Sequence, residues 1–218
     1  MISERHIFAN GQDLATSLAL AVVTTLEISI AQNGKALLAV SGGTTPKPFF
    51  AALSKMKLDW AKVKITLVDE RQVGEDSPRS NAKLVKESLL VNQAAAAVFV
   101  PLFQNPDAVN LPSFDVAILG MGSDGHTASF FPGGDNLKSA LDSNCPSTIL
   151  PMIAEGAGEP RLTFTLPKLL ASKTLHLHIQ GQDKMAVLDK ALAGTDIYEM
   201  PIRAVLTASK PIDLYWCP

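Results

Sequence analysis

His126 and Asp124 stand two residues apart within GMGSDGHTASFFP, Gly120 to Pro132. An imidazole with its ordinary pKa of about 6.5 is mostly neutral at pH 7 and can take a proton from an attacking water. A carboxylate beside it can fix its tautomer or raise its basicity; at so short a spacing it can instead brace the loop backbone. The pair follows an unbroken apolar run, Val116 to Leu119, which reads as a buried strand. Glycines and small polar residues then turn the chain, and a short helix is expected from near His126 to Pro132. Strand, glycine turn and helix start together bring backbone N–H groups to one spot that can also hold an anion.

Other stretches supply groups suited to an anionic ligand. Lys35 to Ser41 reads as a strand, and Ser41-Gly42-Gly43-Thr44-Thr45 follows it, with Pro46 near the start of the next helix. Small residues there let backbone N–H groups approach a phosphate, although the turn is neither a Walker loop nor GxGxxG; a tight ligand-free turn reads equally well from the pattern alone. Val63 to Val68 is a strand that delivers Asp69, Glu70 and Arg71 at its C-terminal end, where ligands of open α/β sheets bind. Arg71 can hold phosphate through its planar fork, and Asp69 can orient Arg71 or meet a sugar hydroxyl. Ser80-Asn81 opens a helix to about Val91, and both are capping types. Lys184, in the first turn of a helix from Gly181 to about Ala193, opposes the helix dipole and is placed to meet an anion. Arg161 is a further cationic candidate. His176 and His178 alternate along Thr174–Gln180, with Leu175, Leu177 and Ile179 expected inward and the histidines outward. They have no third ligand nearby, so no metal site is expected.

Around these groups, strands and helices alternate. Residues 1–9 are expected as an edge strand, followed by a long helix to about Gln32, with Asn10 as N-cap and Asn33-Gly34 ending it. Short strands are expected at Val98–Leu102, Thr148–Ile153, Leu162–Leu166, Ala204–Thr207 and Ile212–Trp216, the last an edge. Ala154 to Pro160 is expected to be mobile. The pattern predicts an α/β fold, with a mostly parallel sheet and helices on both faces, as one domain spanning residues 1–218. Apolar residues make up 47% of the chain, and the net charge is −2, from 19 basic and 21 acidic residues. That balance calls for no nucleic-acid or membrane partner. Leu14–Ala31 carries Ser17, Thr24, Thr25, Glu27 and Ser29 and reads as a buried helix instead of a membrane span. Cys145 and Cys217 lack metal-type spacing and read as free thiols of a cytoplasmic protein.

Six stretches, taken with the central motif, carry a family resemblance. VSGGTTP (Val40–Pro46), DERQV (Asp69–Val73), Ser80-Asn81, PRLTFTLP (Pro160–Pro167), GQDK (Gly181–Lys184) and MPIRAVL (Met200–Leu206) resemble 6-phosphogluconolactonases in order and rough spacing, across about Val40 to Trp216. The resemblance implies the Rossmann-like sheet shared with glucosamine-6-phosphate deaminases and ribose-5-phosphate isomerases. It implies hydrolysis of 6-phospho-D-glucono-1,5-lactone, with no cofactor or metal, by a monomer or small homo-oligomer. His126 and Asp124 would be catalytic. Gly42, Gly43, Thr44, Thr45, Asp69, Arg71, Ser80, Asn81, Gly122, Gly125, Arg161 and Lys184 would bind substrate, with the oxyanion met by the Gly42–Thr45 turn or the Gly122–Gly125 turn. The nearest rival, a deaminase, would carry a glutamate where Phe131 stands and an acidic residue followed by tyrosine at Glu70-Arg71. A sugar-phosphate sensor without turnover would have no need of the Asp124–His126 pair.

Overall fold

The computed structural model describes residues 1–218. Its elements, in chain order, are β1 (Ile2–Ile7), α1 (Gly11–Asn33), β2 (Ala36–Val40), α2 (Lys47–Leu53), β3 (Val63–Leu67), β4 (Asp69–Arg71), α3 (Asn81–Ser88), β5 (Val98–Phe99), β6 (Val116–Leu119), α4 (Leu137–Leu141), β7 (Ile149–Met152), β8 (Arg161–Phe164), α5 (Leu166–Leu170), β9 (Thr174–Gln180), α6 (Gln182–Ala193), α7 (Ile202–Leu206) and β10 (Ile212–Cys217). Seven strands pair in the order β1-β10-β9-β6-β2-β3-β5, and every pairing is parallel. A second sheet, β4-β8-β7, is antiparallel.

The unbroken apolar strands are explained by burial on both faces. Leu37 and Ala39 of β2 point into one apolar cluster, with Leu177 of β9, Leu188 of α6 and Val205 of α7. Leu38 and Val40 point into the other, with Leu18 of α1, Phe49 of α2 and Val85 of α3. Helices therefore cover both sides, as alternation along a parallel strand requires. α1 begins as its sequence predicts: the Asn10 side chain accepts hydrogen bonds from the N–H groups of Gln12 and Asp13 at 3.0 and 2.9 Å. It ends at Gly34, whose φ of +74° is the left-handed conformation that favours glycine. By length and composition α1 could cross a bilayer, but its leucine stripe is packed on the sheet. Asp115 pins the start of β6, accepting from the Leu37 N–H and the Ser29 hydroxyl, both at 2.7 Å. Both cysteines are free thiols.

Four expectations are corrected. Residues 126–131 form no helix; Gly125 and Ala128 have positive φ values of 79° and 48°, and the segment folds as tight turns closed by a Thr127–Phe130 bridge. Residues 202–206 form α7 instead of a strand; Pro201 sets its start, and all five residues are buried, so no periodicity marks the helix. β10 lies inside the sheet, and β1 takes the edge. His176 and His178 do not face outward, because β9 is central and covered on both sides; they are only 3% and 6% exposed.

Candidate active site

The C-terminal ends of β2, β6 and β9 converge on one cleft of about 420 Å³, walled on the far side by β4 and residues 156–158. This is where a parallel sheet leaves room for a ligand. The turn after β6 supplies His126. Its Nδ1 lies 2.6 Å from Asp124 Oδ1, and that same oxygen accepts the His126 backbone N–H at 3.1 Å. With Nδ1 occupied by the carboxylate, Nε2 is the nitrogen free for proton transfer. Burial pushes the Asp124 carboxyl up; the His126 ring and backbone contacts outweigh it and hold the net value below the usual range. Phe131 packs on the imidazole, ring centroids 4.2 Å apart.

The turn is built around this pair. A side chain at Gly122 would place its Cβ 2.1 Å from His126 Nδ1 and 2.6 Å from Asp124 Oδ1. The Gly122 N–H donates to the His126 carbonyl at 2.9 Å, and Thr127 ties the loop to the Gly120 carbonyl at 2.8 Å. No helix begins here, so any anion-stabilising N–H groups belong to the turn itself.

Four cationic side chains, Arg71, Arg79, Arg161 and Lys184, line the cleft against one carboxylate, Asp69. Asp69 does not orient Arg71. It accepts from the Ser129 hydroxyl at 2.6 Å and faces the Arg161 guanidinium at 3.8 Å, linking β4, β8 and the turns that follow β6. Arg71 donates to the Arg79 carbonyl, while its buried Nε has no partner. The Asn81 amide donates to the Asp69 carbonyl at 3.0 Å, and its buried Oδ1 is unpartnered. Both residues line the cleft, but these two atoms are themselves sealed from it.

Of the residues expected to form the site, Gly42, Gly43, Thr44, Thr45, Asp69, Arg71, Asn81, Gly122, Arg161 and Lys184 line the cleft, as does His126. Three do not. Asp124 stands behind His126. Gly125 packs against Met200, and its carbonyl accepts the Ile202 N–H at 2.8 Å. Ser80 caps α3, accepting the Lys83 N–H at 3.2 Å. That helix start is also braced by Glu70, whose carboxylate accepts from the N–H groups of Arg71, Asn81 and Ala82 at 2.7, 2.8 and 2.7 Å. Burial pushes the Glu70 carboxyl up despite these bonds.

Arg79 escaped the sequence reading. It sits in a polar loop and is held by a two-pronged contact to Glu159, at 2.6 and 3.0 Å. The segment expected to be mobile carries a 3-10 turn, Glu155–Ala157. It is tied at two points, by Glu159 to Arg79 and by the Ala157 carbonyl to Arg161 at 2.5 Å.

Residues 9–216 match the family model described as glucosamine-6-phosphate isomerases/6-phosphogluconolactonase. A 6-phosphogluconolactonase of Rhizobium meliloti (strain 1021) is 49% identical, with 100% of each chain covered. One from Mesorhizobium japonicum is 48% identical over 98% of this chain and 94% of its own. The crystal structure of a 6-phosphogluconolactonase from Shewanella baltica OS155 superposes with a TM-score of 0.94, at 37% identity and with 100% of both chains covered. With its fold matched from β1 to β10 and full-length relatives at nearly half identity, the chain belongs to the glucosamine-6-phosphate isomerase/6-phosphogluconolactonase family.

Proposed function

We propose that this protein hydrolyses 6-phospho-D-glucono-1,5-lactone to 6-phosphogluconate, in the oxidative pentose phosphate pathway of the cytoplasm. The observation that carries the reading is the 2.6 Å contact of Asp124 with His126, a histidine that lines a cleft with four cations. His126 Nε2 takes a proton from water as its oxygen attacks the lactone carbonyl carbon. The carbonyl electrons move to oxygen, where turn N–H groups stabilise the charge. The tetrahedral intermediate then collapses, the ring C–O bond breaks, and the imidazolium returns its proton to the leaving alkoxide. Asp124 holds the imidazole in the required tautomer and favours its charged form. Arg71 and Lys184, with Arg161 behind them, bind the phosphate and so position the lactone.

A deaminase reading needs a further acid or base where Phe131 stands. That side chain is apolar and packs on His126.

The test generates the lactone in place from glucose 6-phosphate with a dehydrogenase and follows 6-phosphogluconate formation above the spontaneous rate. Wild type is expected to accelerate it. His126→Asn is expected to lose ~10²–10⁴-fold in kcat, the usual worth of a general base. Full turnover by the variant would move the base elsewhere, and no acceleration by folded wild type would sink the reading.

A further inference from the structure

We infer that His178 is a substrate-binding residue, donating a ring N–H hydrogen bond to the phosphoryl group of the ligand held between the Gly42–Thr45 turn and Lys184. This rests on the reading of the cleft as a phosphorylated-lactone site. β9 ends in this cleft, and His178 lines it near the strand end. Its ring packs edge-on against Phe49, centroids 6.1 Å apart at 78°. Phe49 belongs to the first turn of α2, the helix that follows directly from the Gly42–Thr45 turn. The imidazole thus packs on the helix into which that turn leads, and it shares the cleft with the turn, whose N–H groups suit a phosphate. Lys184 reaches the same cleft from the first turn of α6, which follows β9.

The two histidines of β9 differ in a way that bears on function. His176 has both ring nitrogens sealed from solvent and unpartnered. His178 is equally buried, but its nitrogens are not sealed; the ring opens on the cleft. No protein group hydrogen-bonds to it, and burial alone acts on its titration, pulling the pKa down to about 4. The ring is therefore neutral at working pH and offers one donor and one acceptor. Its donor has no protein partner, and a ligand oxygen in the cleft would supply one. The charged groups of the cleft supply attraction, while a neutral, rigidly packed donor supplies direction.

The experiment measures KM for 6-phosphogluconolactone, and the inhibition constant of inorganic phosphate, for wild type, His178→Phe and His178→Gln. Phenylalanine keeps the packing on Phe49 and removes the N–H; glutamine restores a neutral donor. His178→Phe is expected to raise both constants about ten- to hundredfold, the worth of a hydrogen bond to a charged group. Any fall in kcat should be smaller than the rise in KM, and His178→Gln should recover part of the loss. An unchanged phosphate constant in folded His178→Phe would overturn the assignment, whatever happens to KM. Titrating wild type with phosphate while watching the His178 ring nitrogens by NMR needs neither a variant nor turnover. A shift supports the contact, and its absence at saturation overturns it. A wild type without lactone hydrolysis would instead sink the proposed reaction, a result the phosphate titration does not depend on.

Discussion

A carboxylate 2.6 Å from the Nδ1 of His126 settles which imidazole nitrogen is free. Asp124→Asn should therefore lower kcat by less than the ~10²–10⁴-fold expected of the base itself, because the base survives with a less certain tautomer. KM should hardly move, since Asp124 does not line the cleft; a KM effect larger than the kcat effect would show that Asp124 binds substrate. Gly122→Ala is a sharper probe. Its Cβ would collide with both members of the pair, so it should cost at least as much kcat as Asp124→Asn while circular dichroism stays unchanged. Residue types were legible here because GMGSDGH concentrates them. The reason for Gly122 was not: spacing suggests close approach of backbone to ligand, whereas the close neighbour is the His126 ring. Likewise Asp69, Glu70 and Arg71 are adjacent in sequence yet serve Ser129 and Arg161, the start of α3, and the cleft in turn.

β9 shows what periodicity can and cannot reveal. Its leucine–histidine alternation suggests one wet face, but the strand has neighbours on both sides and helices above and below, so both faces are covered and only its C-terminal end opens on the cleft. The cost of that burial depends on pH. Burial pulls His176 and His178 down to about 4 each; at His176 the nearby Asp213, 3.7 Å away, raises the value and His6 lowers it further. In the unfolded chain a histidine titrates near 6.5. Between those values the unfolded chain binds more protons, so stability is full above about pH 6.5 and falls as pH drops to about 4. At His176 the loss is on the order of 3 kcal/mol. Glu70, pushed up by burial, works in the opposite sense over part of that range. His176→Leu isolates one group: urea unfolding at pH 7.5 and 4.5 should show a smaller acid loss than wild type, and an equal loss would mean that His176 is not buried neutral. The helix at 202–206 and the turn at 126–131 were misread for related reasons. One is short and buried all round, and the other is bent out of helix by left-handed backbone at positions 125 and 128.

Across the whole molecule, the parallel sheet and its two covered faces were legible from strand–helix alternation; the small antiparallel sheet was not. β4 is a three-residue continuation of β3 past Val68, and its partner β8 lies some ninety positions on. Where the two sheets meet, Arg79 and Glu159 close the wall across 80 positions of sequence, a pairing that no local pattern reveals. Both ends of this pair are at the surface, so Glu159→Gln should leave Tm unchanged. It should raise KM by releasing Arg79 and the 156–158 backbone from the cleft; a Tm loss without a KM change would make the pair merely structural. The strand order also sets a schedule. β10 is flanked by β1 and β9, with Ile2 beside Ile212. During synthesis at about 5–20 residues per second, β1 therefore waits roughly ten to forty seconds for the strand it pairs with. Until then β9, a strand that ends in the cleft, has a bare edge, and nascent chains stalled short of β10 are the species most exposed to mispairing and to chaperones.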